Sequence, residues 1–299
     1  MSAEAFSAWI RQSLDEVESC LSAWVPAQAP AGLGEAMRYG VLDGGKRLRP
    51  LLVLAACEAV QGSRPAALRA ACAVELIHAY SLVHDDMPCM DNDVLRRGKP
   101  TVHVAYGQAQ AMLAGDAMQA LAFELLTPED DELPGPLQAR LVQLLSRAAG
   151  HSGMAGGQAI DLASVGRKLN ESQLRDMHER KTGALLKVSI DMGAACGSPG
   201  AQALQALSEY GHAMGLAFQV VDDILDVTQD TDVLGKTAGK DSQQDKPTYV
   251  SLMGLQGARA YAAQLHAQAM DALRAAQAGG LSDTDKLRQL ADLVVHRQS

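Results

Sequence analysis

The residues best suited to chemistry are six aspartates in two short runs, Asp85-Asp86 with Asp91, and Asp222-Asp223 with Asp226. The first reads His84-Asp-Asp-Met-Pro-Cys-Met-Asp91 and is followed by Arg96-Arg97; the second reads Phe218-Gln-Val-Val-Asp-Asp-Ile-Leu-Asp226. A hard divalent cation such as Mg²⁺ takes oxygen ligands from one or two carboxylates and completes its shell with substrate phosphates. Arginine forks grip phosphate oxygens two at a time. Carboxylates beside paired arginines therefore suit a site that holds metal and phosphate together. Either run alone reads more simply as a charged helix face or a surface turn. Two such runs, each preceded by a stretch too apolar for a surface helix, make coincidence the poorer explanation. Facing each other, they would hold several Mg²⁺ ions with a diphosphate between them.

The spacing dictates how the chain must present them. Asp222 and Asp226 are four apart and share one face of a helix, with Asp223 beside them and Val220, Val221, Ile224 and Leu225 around. Asp85 and Asp91 are six apart and would not share a face. The residue before Pro88 is pushed out of helical geometry, so a helix over 65–86 ends there and the chain folds back to present Asp91. Basic residues stand near predicted turns: Lys46 and Arg49, Arg96 and Arg97, Lys181, and Lys236, Lys240 and Lys246 in a polar loop or lid over 228–247. Singly, each reads as a solvated charge. Lys181-Thr182-Gly183 is odder, because a β-branched residue and a glycine interrupt a good helix and free backbone and hydroxyl groups for a ligand. Gln219 sits beside the acidic face, where a satisfied core amide is the plainer reading. His78 lies two turns before Asp85, and His84 reads as a partner of the carboxylates rather than a base. Cys89 and Met90 have no arguable role.

Around these residues the chain reads as helix after helix. Helical periods run from Phe6 to Trp24 and over 33–42, 51–60, 65–86, 108–127, 137–163, 170–195, 202–227 and from Tyr249 to the end. Gly44 to Pro50 is a turn feeding the helix that follows, and 97–107 reads as loop. Gly153, Gly156 and Gly157 let backbone or ligand approach closely. Asn170 with Gln173 marks a helix start. With no strand pattern in view, the expectation is one all-α domain over 1–299, a bundle with a site between facing helices.

The bulk numbers agree and exclude several classes. Of 299 residues, 47% are hydrophobic and only 4% aromatic, a bias toward helix. A net charge of −9 argues against a nucleic-acid surface. It also requires that an anionic substrate be met by locally concentrated basic residues. Five scattered cysteines suit a reducing compartment better than a disulfide framework. The first residues lack an apolar leader core and no stretch is judged long enough to span a bilayer, so a cytoplasmic home is expected.

Taken in order, Gly44-Gly-Lys-Arg-Leu-Arg-Pro50, the run from Asp85 to Asp91 with Arg96-Arg97-Gly98, Lys181-Thr182, and Phe218 to Asp226 resemble the motifs of the trans-isoprenyl diphosphate synthases, nearest the bacterial farnesyl type. The resemblance spans roughly Lys46 to Lys246. It implies the all-α isoprenoid synthase bundle with a central cavity, and a homodimer. It implies that Asp85, Asp91 and Asp222 ligate Mg²⁺, three ions with substrate bound, supported by Asp86, Asp223 and Asp226. Arg96, Lys181, Thr182, Gln219 and Lys236 would hold the allylic diphosphate, Lys46, Arg49, His78 and Arg97 isopentenyl diphosphate, and Lys246 would join the substrate-binding set. The implied reaction is ionisation, condensation and elimination in a site that shelters an allylic cation from water. Tyr80, five residues before Asp85 and roughly 7 Å up the helix axis, would floor the pocket where Ser81 is too small, stopping growth at fifteen carbons. A geranylgeranyl or geranyl diphosphate synthase stays open. So does a non-catalytic subunit of a heteromeric synthase, although such subunits lose acidic residues and all six are present here. A terpene cyclase would have little use for Lys46 and Arg49.

Overall fold

The helix that carries Asp85 is alanine-rich and apolar on every side, so it must be surrounded. In the computed structural model, described for residues 1–42, 44–129, 133–228 and 247–297, that helix, α4 (Arg64–Asp85), runs through the centre. Ser63 caps it by accepting the amide of Ala66, with Pro65 in the first turn. Around it lie α1 (Ala3–Trp24), α2 (Leu33–Val41) and α3 (Leu48–Ala59). After α4 come β1 (Leu95–Arg96), β2 (Lys99–Pro100), α5 (Val102–Tyr106), α6 (Gln108–Glu124), α7 (Gly135–Ala149) and α8 (Met154–Ala163). Then α9 (Glu171–His178) leads through one π-helical turn (Glu179–Gly183) into α10 (Ala184–Ala195). The long α11 (Ala201–Thr228) carries the second acidic run and packs along α12 (Tyr249–Ala278), with α13 (Asp285–Val295) closing the order.

Three apolar clusters tie these elements together. One wraps α4 with α1, α2, α6, α7 and α10 and holds Leu76, Ile77, Met118 and Leu145 at 0% exposure. Each such side chain is worth about 1.5–3 kcal/mol of burial. A second joins α3, α10, α11, α12 and α13, and a third lies beneath the acidic end of α11 against α9 and α12. Both acidic runs are thus mounted on helices whose positions are set by packing on several sides.

Four sequence expectations need correction. Leu95–Arg96 and Lys99–Pro100 form an antiparallel hairpin, too short for any period-2 pattern to show. The stretch 97–107, expected as loop, contains α5. The expected single helix over 137–163 breaks into α7 and α8 because Gly150 and Gly153 take non-helical dihedrals. Finally, α4 is long and apolar enough to cross a membrane by composition alone, contrary to the expectation that no stretch is; 72% of its most apolar window is buried, as in a core helix. The capping box is present: Asn170 accepts the Gln173 amide at 3.0 Å and Gln173 accepts the Asn170 amide at 3.1 Å. All five cysteines are free.

Candidate active site

α4 stops at the first acidic run. Its C-cap is Asp86, and the turn beyond folds back on itself: Met87 donates its amide to the His84 carbonyl, and Asp91 donates to the Asp85 carbonyl at 2.8 Å. Asp85 and Asp91 come within electrostatic reach although a regular helix would have separated them. Burial pushes the Asp85 carboxyl up to about 6; Lys181 opposes this, while Asp91 adds to it. Asp86 points elsewhere. It is 2% exposed, and Arg96 grips it with Nε at 2.8 and 3.0 Å and Nη2 at 2.6 Å. The hairpin's local purpose is to deliver Arg96 there.

The second run is anchored as a chain of hydrogen bonds. The Thr182 hydroxyl donates to Gln219 Oε1 at 2.9 Å, Gln219 Nε2 donates to Asp223 at 2.8 Å, and Asp223 accepts the amide of Tyr249 at 2.7 Å. The π-helical turn, α11 and the first residue of α12 are therefore locked together, and the amide of Gln219 has a fixed orientation. Asp223 and Asp226 are buried; Asp222 is half-buried and bonds Arg297 Nη2 at 2.5 Å. Arg297 also lies over the Phe218 ring at 4.3 Å and donates to the Phe218 carbonyl at 3.0 Å.

A cationic rim faces these carboxylates. Arg47, at φ +45°, is buried between Glu75 (2.6 Å) and Glu18 (2.5 Å) and donates to the Val41 carbonyl at 2.5 Å. That pins the turn carrying Lys46 and the start of α3, which carries Arg49. Arg49 is buried, its Nε has no hydrogen-bond partner among the described residues, and the charges of Glu75 and Asp222 reach it. Lys46 is lowered by burial and then by Arg297, with Asp222 opposing. Arg97 lies against Gly44 and Gly45, where a Cβ would come within 2.8 Å of its guanidinium, and Gly45, at φ +96°, takes a left-handed conformation that favours glycine. Burial, then Arg49, Arg97, Arg96 and Arg47, hold His78 well below its ordinary value, so a neutral imidazole sits among four guanidinium groups. An arrangement of this kind binds a polyanion.

Lys181 occupies the π-helical turn and bonds Asp161 of α8 at 2.5 Å. The close approach depends on Gly157: a Cβ there would meet the Lys181 backbone nitrogen at 2.2 Å. Gly157→Ala is expected to push α8 from the turn, lowering the melting temperature by several degrees and weakening diphosphate binding, about 2 kcal/mol in stability. Unchanged melting and binding would refute the contact's importance.

Between these groups opens a cavity of ≈ 380 Å³ whose wall includes Asp85, Lys181, Arg49 and His78 at one part and Tyr80, Met154, Leu162 and Leu185 at others. Tyr80 is 8% exposed, accepts Gln119 Nε2 at 3.1 Å and meets the His84 ring edge-on. Ser81 bonds the His78 carbonyl and also lines the cavity. Lys236, Lys240 and Lys246 lie outside the described residues. Three residues that sequence reasoning passed over belong here: Arg47, Asp161 and Arg297. Asp161 had a signal, since Gln158 and Asp161 are three apart on a glycine-rich helix; Arg297, near the end of the chain, had none.

The donor set suits Mg²⁺. Carboxylate oxygens alone make a hard-cation site, and burial with Asp91 keeps Asp85 raised although Lys181 and Arg96 lie within electrostatic reach, so a further cation beside it would favour its ionised form.

Comparison with known proteins follows the same line. Residues 30–280 match the model of the polyprenyl synthetase family. The chain is 44% identical over 302 residues to the heterodimeric geranylgeranyl pyrophosphate synthase large subunit 1, chloroplastic, of Arabidopsis thaliana, covering 98% of this chain and 80% of that protein. It is 44% identical over 253 residues to farnesyl diphosphate synthase of Geobacillus stearothermophilus, covering 84% and 85%. Among solved structures, geranyltransferase from Helicobacter pylori complexed with magnesium and isoprenyl diphosphate is similar at a TM-score of 0.83 and 36% identity, covering 99% of this chain and 97% of that one.

Proposed function

The chain belongs to the polyprenyl synthetase family, with the all-α fold of the isoprenyl synthases, and from that premise we propose that it makes farnesyl diphosphate from isopentenyl diphosphate and dimethylallyl or geranyl diphosphate. The observation that carries the reading is that one cavity is bounded both by Asp85 and Lys181 and by Tyr80, which shares a helix with Asp85. Asp85, Asp91 and Asp222 would hold Mg²⁺, which when bound would neutralise the diphosphate and make it a better leaving group.

The residues do the rest. Arg96 and Lys181 orient the allylic diphosphate with its tail toward Tyr80. Asp86 keeps Arg96 aimed, and Asp161 does the same for Lys181. Lys46, Arg49, His78 and Arg97 hold isopentenyl diphosphate so that its double bond faces the allylic carbon. The allylic carbon–oxygen bond breaks with its electron pair going to the diphosphate. The double bond then attacks, and the proton lost from the condensed product goes to the released diphosphate. Met154, Leu162 and Leu185 keep water from the cation. No nucleophile from the protein enters the sequence of steps.

Product length is the finer half of the proposal, and Tyr80 supports it. Its ring is buried and its hydroxyl is tied to Gln119 of α6, so it is a fixed wall rather than a mobile one. Labelled isopentenyl diphosphate incubated with dimethylallyl or geranyl diphosphate and Mg²⁺ should yield a fifteen-carbon diphosphate. Tyr80→Ala should move most product to twenty carbons or more, with turnover within about tenfold, since a pocket wall discriminates by only about 1–3 kcal/mol. A twenty-carbon product from the unsubstituted chain would keep the chemistry and refute the wall; it is the outcome the Arabidopsis relative's name suggests. Substrate binding without any product would favour a partner subunit.

A further inference from the structure

A second cluster of ligating side chains lies away from the aspartates, where α12 meets the end of α13. His266 Nε2 is 2.8 Å from Asp292 Oδ1, and the rings of His266 and His296 lie 5.8 Å apart. One ligand atom from each of the three residues lies within 4.8 Å of the others. Asp292 and His296 are four apart, so they project from the same side of α13 and the turn that follows it. With metal–ligand bonds of about 2.0–2.1 Å, the edge of a tetrahedral site is about 3.3 Å. The His266–Asp292 separation is already close to that edge, and His296, exposed, brings a ligand atom within 4.8 Å of both. Arg288 Nη1 holds the other oxygen of Asp292 at 3.3 Å, leaving Oδ1 turned toward His266.

The donor chemistry is unlike that of the aspartate cluster. Two imidazoles and one carboxylate favour a borderline transition metal, whereas Mg²⁺ prefers oxygen alone. A hydrogen-bonded His–Asp pair accounts for His266 and Asp292 but leaves His296 unexplained. Position adds a consequence. His296 is followed directly by Arg297, whose guanidinium occupies Asp222.

We propose that His266, Asp292 and His296 form a site for one transition-metal ion of the Zn²⁺ class, and that the bound ion clamps Arg297 onto Asp222. The clamp would oppose Mg²⁺ at Asp222. This second half rests on Asp222 holding Mg²⁺, whereas the site itself does not, so the two halves fail separately.

The test is a calorimetric Zn²⁺ titration of the full chain in saturating Mg²⁺, which fills the all-oxygen sites. His266→Gln and His296→Gln are each expected to weaken the tightest binding event by about 10–100-fold or more, with the fold unchanged by circular dichroism. Undiminished Zn²⁺ binding in both variants would overturn the site. In the unsubstituted chain, Zn²⁺ should raise the Mg²⁺ concentration that half-saturates the melting-temperature shift by about fivefold, a modest coupling between sites; in His296→Gln it should not. Zn²⁺ bound at the site without any change in the Mg²⁺ requirement would overturn the clamp.

Discussion

Asp85→Asn is expected to lower turnover by about 10³-fold or more while raising the melting temperature of the metal-free protein. The first effect follows from charge. An asparagine keeps the shape of the side chain but cannot help gather cations on a leaving diphosphate, and loss of one such electrostatic contact costs roughly 10²–10³ in rate or more when a metal goes with it. The second follows from burial. The Asp85 carboxyl titrates near 3.8 when exposed and is raised to about 6 in the fold. The native state therefore binds its proton more tightly than the unfolded chain does. That advantage is complete below about 3.8 and is lost as pH rises through about 6, so at neutral pH the ionised carboxylate burdens the fold. Removing it should stabilise the metal-free protein by about 2 kcal/mol, a few degrees in melting temperature. The unsubstituted protein should also gain stability between pH 7 and pH 5 from this group, a gain the variant lacks. Activity within tenfold of the unsubstituted chain, or a lower melting temperature, would refute the assignment of Asp85 as a carboxylate strained for metal binding.

Such opposed effects explain which parts of the site were readable from sequence. Paired aspartates at helical spacing are visible because their types are wrong for a core, and they announce themselves against Val220, Val221, Ile224 and Leu225. The turn at Pro88 was readable from one residue's steric demand, and the Asp91-to-Asp85 backbone bond shows its result. The irregular turn at Lys181-Thr182-Gly183 was readable as a break, though not as the π-helical turn that bonds Thr182 to Gln219. The hairpin was not readable, because two-residue strands have no period. Nor was the direction of Asp86: adjacent aspartates look equivalent in sequence, yet one faces Lys181 and Asp91 and the other is consumed by Arg96. Arg297 was illegible for a different reason, since its partner is 75 residues away and no local pattern encodes so distant a pair.

Arg47 is the most consequential residue hidden in this way, because in sequence it is one of three cations in Lys46-Arg47-Leu48-Arg49 and only the fold separates their tasks. Arg47→Met is expected to destabilise the chain by about 3–5 kcal/mol, since Glu75, 2% exposed, would keep its charge in the core without a partner. A loss of that size in a chain this long lowers the melting temperature by roughly 10 °C. Function should suffer at a particular place. The charge of Glu75 already reaches Arg49 and Arg97, so an unpaired Glu75 would draw those guanidinium groups away from the cavity. KM for isopentenyl diphosphate should then rise about tenfold, a loss of roughly 1.4 kcal/mol in binding, with a smaller change in kcat. The double variant Arg47→Met with Glu75→Leu removes both charges and replaces them with apolar volume, a change that in buried pairs is often neutral or better. It should recover most of the melting temperature and most of the KM. Recovery separates an electrostatic role from a packing one: if the double variant melts no higher than Arg47→Met, the buried pair is not what holds Lys46 and Arg49 in place.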